Sequence, residues 1–363
     1  MSSGKSLINI LFSLIMLPLF TGCEHRPLED AYRRENTFVR VYFDEHIRNV
    51  SYGFYDETKK KPEYHSPKVL RVMFYDETDG KVVTERYLYD SGKDERGYYI
   101  QGTLNVPNGR YNMLAYNFDT EDTRTRDEDD YEDITAYTRQ LNESEEDRLF
   151  SRGDGSRNGT VIRREPDHLF VTTVEGIDID SKTRLSHVDN PEHPDTIRSS
   201  SGQHPVAETI VKTYYLQFNV KGVEYVRSAV ALISGMAGAK TMHNGEMVDS
   251  EESSIFFSLN NGKEKNRSKE EVAVAYASFN TFGKLPHTEG YIDITFEFNT
   301  IYNTVQTETL RVTDMFETDM VKENQWIIID KLIEIIPPDD VETGGGMAPG
   351  VNDWEQIEGS ITI

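Results

Sequence analysis

The stretch GYIDITFEFN, Gly290 to Asn299, decides the fold. Ile292, Ile294, Phe296 and Phe298 occupy every second position, and Asp293, Thr295 and Glu297 stand between them. An extended chain points successive side chains to opposite faces, so this alternation puts the apolar set on one side and the polar set on the other. A helix would scatter both sets around its axis. The stretch therefore predicts a strand in a sheet with one buried and one wetted face.

The same period recurs on both sides. Tyr214, Leu216, Phe218 and Val220 share a face, as do Leu70, Val72 and Phe74, and Val39, Val41 and Phe43. KVVTERYLY, GYYIQGTLNV, SSIFFSLN, EVAVAYASFNTFG, TVQTETLRVTD and WIIIDKLIEII read as further short strands. Pro107-Asn108-Gly109 marks a turn before a strand that carries Leu114, Tyr116 and Phe118 on one face. DHLFVTTVEGIDID has strand character, and EYVRSAVALISGMAGA reads as a strand broken at Ser234-Gly235 into a helical turn. The 20 Tyr and 17 Phe favour strands over helices. Short, turn-punctuated, period-two runs predict an all-β chain of sandwich type.

Three segments interrupt the pattern. Asp119–Asp133 is too charged for a core and reads as a solvated loop; residues 131–149 read as a helix with Ile134, Tyr137 and Leu141 on one side; SRNGTVIRREP reads as a loop. Residues 181–205, with three prolines and the run Ser199-Ser200-Ser201-Gly202, mark a boundary near residue 200. The expected organisation is a leader at 1–22, a tether at 23–36, β-sandwich domains at 37–200 and 201–336, and a Gly-rich linker and tail at 337–363.

The leader carries the address. Lys5 and the α-amino group precede Leu7–Phe20, an apolar run too short to span a membrane but suited to a secretory signal. The run ends in Phe20-Thr21-Gly22-Cys23, and Cys23 is the only cysteine in 363 residues. Small residues before a cysteine let a peptidase reach the backbone after the thiol has been alkylated by a diacylglycerol. This is the pattern of a signal peptidase II site, with Phe20 where leucine is usual. Cys23 is the expected lipidation site, and multiple acyl chains give stable anchoring. A lone cysteine also excludes an internal disulfide.

The net charge of −24, from 63 acidic and 39 basic residues, argues against nucleic acid as a partner and against docking on anionic lipid through a basic face. G-x-S-x-G, H-E-x-x-H and P-loop motifs do not occur, so the chain reads as non-enzymatic and calls for no cofactor. The acidic run lacks the glycine and closing glutamate of an EF-hand loop. His168, His187, His193 and His204 match no zinc spacing and read as surface residues of a linker. Arg152-Gly153-Asp154 reads as a turn, and the Asn-x-Ser/Thr triplets at Asn49, Asn142, Asn158 and Asn266 as incidental. Asp195-Thr196-Ile197 reads as an accessible linker triplet of the kind that carries O-glycans in some bacteria.

The lipid-attachment motif, LRVMFYDETDGKVV, NVPNGRYNMLAYN, DHLFVTTV and YVRSAVALISGMAGA follow one another in that order. In this the chain resembles the fimbrillin-like surface lipoproteins of Bacteroides-type bacteria, over roughly Cys23 to Ile336. The resemblance implies two tandem sandwiches of transthyretin-like topology, an outer-membrane anchor through Cys23, and fimbrial subunits as partners that join by donating a strand into a neighbour's sheet. Arg33-Arg34 lies in the tether, which fits an uncut anchor or accessory subunit better than a cleaved stalk subunit. The tail offers Trp354, Ile357, Ile361 and Ile363 as a strand for a partner. The alternative is a stand-alone surface lipoprotein that binds a glycan or another ligand.

Overall fold

A computed structural model describes residues 37–51, 53–149, 161–179, 195–265, 269–286 and 291–337. The chain is all-β, with 21 strands and three short α-helices among these residues. The deciding stretch forms β19 (Asp293–Thr300), and Ile292, Ile294, Phe296 and Phe298 are fully buried.

One sheet of nine strands builds the first half. Its order is β3 (Val82–Leu88), β2 (Leu70–Asp76), β6 (Gly109–Asn117), β10 (Phe170–Ile179), β12 (Val206–Thr209), β1 (Thr37–Phe43), β5 (Gly97–Leu104) and β4 (Asp90–Asp94), with β11 (Asp195–Thr196) also on β1. The short β12 makes the bend, since Val206 and Ala207 pair with β1 while Glu208 and Thr209 pair with β10. The sheet thereby faces itself, and Val39, Val41 and Ile100 share a core with Val72, Phe74, Met113 and Phe170.

The second half has two sheets. One runs β17 (Asn260–Lys265), β18 (Glu271–Thr281), β13 (Lys212–Lys221), β21 (Trp326–Glu334). The other runs β20 (Val305–Arg311), β19, β14 (Val226–Ala237), β16 (Glu252–Ser258), β9 (Val161–Arg164). Their inner faces meet over Leu216, Phe218, Phe257, Phe279, Phe296 and Phe298. Each such side chain contributes about 1.5–3 kcal/mol of burial. α3 (Asp319–Asn324) closes one end through Val321.

The halves are interleaved. β9, from the first half of the chain, pairs in parallel with β16 of the second. β15 (Ala239–Thr241) pairs with β8 (Thr135–Thr138), which pairs with β7 (Thr123–Arg126). The outward face of β2, β6 and β10 packs Met73, Tyr75, Leu114 and Tyr116 against Ala237, Met242, Phe282 and Leu285. Phe54 and Tyr55, which follow α1 (Arg48–Ser51), cover Tyr215 and Tyr276 on the outside of the four-stranded sheet.

Four local expectations change. The acidic segment 119–133 is built in: it contains β7, buries Thr123 and Tyr131, and places Glu128 on Arg71 at 2.8 Å. Asp122 meets Arg139 and Arg164 in turn, and Asp130 pairs with Lys81, so cations from elsewhere in the chain offset part of its charge. Residues 135–138 form β8, so helix is confined to α2 (Glu143–Leu149). Asn142 starts that helix: its Oδ1 accepts the Glu145 N–H at 3.0 Å, and Glu145 Oε2 accepts the Asn142 N–H at 3.0 Å. Val161–Arg164 is a strand because a sheet edge from far along the chain is available to it. β14 does not break at Ser234-Gly235; it bulges, with the register shifting between Ile233 and Met236 and Gly235 at φ 72°, where glycine carries no steric penalty.

Candidate functional site

A terminal strand keeps one row of backbone groups outside its own sheet, which makes sheet ends the natural sites for strand addition. β20 and β21 end the two sheets of the second half and lie side by side. Lys331 is paired with Glu308, Gln306 Nε2 donates to the Glu334 carbonyl at 2.7 Å, and Gln306 Oε1 accepts the Ile336 N–H at 3.2 Å. Apolar side chains stand out of this rim: Val305, Leu332 and Ile336 are 41%, 54% and 64% exposed.

The register of β21 explains Leu332. Phe218 pairs with Ile329, but the next residue, Asn219, pairs with Leu332. Two extra residues, Asp330 and Lys331, bulge out. A two-residue insertion preserves side-chain parity, so Ile333 and Ile335 still enter the core while Leu332 stays outside with Ile328. Beside it an open groove of about 760 Å³ runs over the outward face of the four-stranded sheet, lined by Asn219, Lys221, Glu264, Val272, Ile328 and Leu332. The other end of this face is already covered. Lys59, almost wholly buried, donates to Gln217 Oε1 at 3.1 Å and Glu264 Oε2 at 3.3 Å.

At the other end of β13 from the rim, a polar joint ties the halves together. His168 makes ring-nitrogen contacts to Thr209 Oγ1 at 3.2 Å and Thr213 Oγ1 at 3.1 Å. Thr213 spends its own proton on Asn280 Oδ1 at 2.8 Å, so Nε2 carries the imidazole hydrogen. Burial holds His168 down at about 4. Glu165 Oε2 accepts the Asn280 N–H at 2.8 Å; part of the residue meets solvent, but its carboxyl is enclosed, and burial lifts it to about 8. Asn49 is buried and donates to the Thr213 carbonyl at 3.0 Å.

His168 is thus an enclosed structural residue, contrary to its reading as a surface histidine; a strand start after a Pro-Asp pair was the available signal. Thr196 pairs with β1 and Ile197 is buried, so the Asp195-Thr196-Ile197 triplet belongs to the sheet. Phe20, Thr21, Gly22, Cys23, Arg33, Arg34, Arg152-Gly153-Asp154, His187, His193, Trp354, Ile357, Ile361 and Ile363 lie outside the described residues. Among the described residues no three His, Cys, Asp or Glu side chains converge as a metal site, and no helix is long and apolar enough to cross a membrane. The rim residues Gln306, Glu308, Lys331, Leu332 and Ile336 escaped the sequence reading, because adjacency of β20 and β21 has no local signature.

Comparison with known proteins follows this architecture. A protein of Bacteroides ovatus named "Putative fimbrium anchoring subunit Fim4B" is 26% identical over 95% of this chain and 94% of its own length. The crystal structure of a "putative adhesin" from Bacteroides ovatus shares the fold, with a TM-score of 0.51 and 24% identity over 88% of this chain and 99% of that one. The fimbrial anchor protein Mfa2 from Porphyromonas gingivalis aligns over 84% of this chain and 94% of its own, at 11% identity and a TM-score of 0.41. Residues 22–258, well over half of the sequence, match one family model, and the chain belongs to that family, described as a domain of unknown function, DUF5119.

Proposed function

We propose that this protein is a non-enzymatic, lipid-anchored subunit of a fimbria-like surface assembly, seated at its anchoring end. The observation that carries the reading is likeness along nearly the whole chain to a fimbrium anchoring subunit. The Phe20-Thr21-Gly22-Cys23 motif supports it by supplying the anchor. On this reading residues 1–22 are removed, Cys23 is acylated in the outer membrane, and 23–36 tether the two sandwich units, whose boundary near residue 200 is crossed by β9 and β12. Fimbrial subunits then join by strand addition. The β20–β21 rim, with its exposed Val305, Leu332 and Ile336, provides an acceptor edge, and the tail beyond Pro337 a strand to donate.

The test is co-purification of tagged protein from gently sheared outer membrane, with mass spectrometry, beside a Cys23→Ala control and a Leu332→Asp/Ile336→Asp variant. The expected result is a fimbrillin-like partner that is lost from the membrane fraction in the first variant and lost from the complex in the second. Clean acylation at Cys23 with no protein partner overturns the assembly reading and leaves a stand-alone surface lipoprotein.

A further inference from the structure

In a chain of net charge −24, one face collects guanidinium groups. It is the outward face of β4, β5 and β1, opposite the core of the first half. Register brings Tyr42 beside Tyr99 and Arg40 beside Gln101. Tyr99 lies flat over Gly92: a Cβ there would stand 2.5 Å from the Tyr99 hydroxyl. The Arg40 guanidinium stacks 4.3 Å from the centre of the Tyr99 ring, and its Nε donates to Gln101 Oε1 at 2.8 Å. The Arg96 guanidinium stacks 4.8 Å from the centre of the Tyr42 ring. Stacking holds both groups in place, with the Arg40 edge shared with Gln101 and Asp94.

The loop after β11 closes the group. His204 sits 6.0 Å from Tyr42, and its Nδ1 is buried without a hydrogen-bond partner. Burial, then the charges of Arg198, Arg40 and Arg96, lower its pKa. Arg198 lies in the same loop, where its guanidinium donates to the Gly202 carbonyl at 3.4 Å. The acidic groups here are Asp94, Asp90 and the exposed Glu95, and the Tyr42 hydrogen bond, then the charges of Arg40 and Arg96, hold the Asp94 carboxyl below its ordinary value. Asp94 accepts from the Tyr42 hydroxyl at 2.7 Å and lies 3.8 Å from Arg40; Asp90 accepts from Gln101 at 2.7 Å. Among the described residues, neither Arg96 nor Arg198 is paired with a carboxylate, and both are exposed.

We infer that this arginine face is a binding site for an acidic polysaccharide, whose carboxylate or sulfate groups are taken by Arg96 and Arg198 with Arg40. Arg96 and Arg198 stand exposed on the outside of the sheet, which suits a chain of sugars rather than an enclosed small molecule. Fork-shaped donors match planar or tetrahedral oxyanions. Among the described residues Val206 and, just before β4, Tyr89 are the large apolar residues exposed along it, too few for the apolar centre a protein partner would require. The inference stands apart from the anchoring role and does not depend on it.

The experiment immobilises polygalacturonate, chondroitin sulfate and neutral dextran and measures binding of the intact protein, an Arg96→Gln/Arg198→Gln variant, and a charge-matched Lys60→Gln/Lys61→Gln control. Lys60 and Lys61 are exposed on another part of the surface. The expected result is binding to one or both acidic polymers and not to dextran, roughly tenfold or more weaker in the arginine variant and unchanged in the control. The two acidic arms tell carboxylate from sulfate. An unchanged thermal midpoint shows that the variant is folded. Binding no greater than to dextran, equal loss in the lysine control, or complete competition by anionic phospholipid vesicles overturns the inference.

Discussion

Arg71 shows how single residues carry this fold's charges. It lies on β2, in the middle of a run that otherwise reads as core, and its side chain is only 9% exposed. Glu85 takes it at 2.6 Å, Glu128 at 2.8 Å and the Tyr116 hydroxyl at 2.7 Å. Arg71→Ala would leave Glu128 half-buried beside Tyr116 with no cation. The expected cost is about 2 kcal/mol in urea denaturation, less than for a fully buried pair because Glu85 reaches solvent. Glu165 is the opposite case. Burial raises its folded pKa to about 8, above the unfolded value of roughly 4.3. Between those values the folded state holds a proton that the unfolded state has lost, so the Glu165 contribution falls as pH rises through this window and is level above it. Glu165→Gln keeps an acceptor for the Asn280 N–H and removes the penalty. The variant should gain stability on the order of 2 kcal/mol at pH 8 and nothing at pH 4. Equal gains at both values would show that ionisation is not the cause.

At the scale of elements, β19 is the direct test of face alternation. Phe298 is fully buried among Phe218 and Phe296, so Phe298→Ala should cost about 3–5 kcal/mol by thermal or chemical denaturation. Thr295, one of the outward set, meets Thr309 on β20, and Thr295→Ala should cost about 0.5 kcal/mol or less. Similar costs would mean that the strand does not present one face to the core. Strands with this signal were legible because each side chain's fate depends on parity alone. β7, β8 and β9 were not. They are four residues each, β7 and β9 carry charge, and all three exist as strands because partners from elsewhere in the chain satisfy their backbone groups. Glycine in a strand signals a bulge and a break alike, and only the continued pairing of Met236 with Ser253 tells them apart in β14.

For the whole molecule, the interleaving of halves has a thermodynamic consequence. The second half needs β9 at one sheet edge and Phe54 and Tyr55 on one outer face, and all come from before residue 165. It should therefore unfold together with the first half in a single calorimetric transition. A fragment of residues 201–337 should show no cooperative transition, having lost an edge strand and two aromatic covers. Two separated transitions in the intact chain would refute this. By itself the sequence determined the all-β class, most of the long strands, the two inner cores and the motif at Cys23, since these rest on period, composition and local spacing. Only the tertiary structure decided the pairing of β9 with β16, the use of the acidic segment, the enclosure of His168 and Glu165, the β20–β21 rim and the arginine face. Each of these is a meeting of residues tens to hundreds of positions apart, and a linear pattern carries the parity of a strand but not the identity of its neighbour.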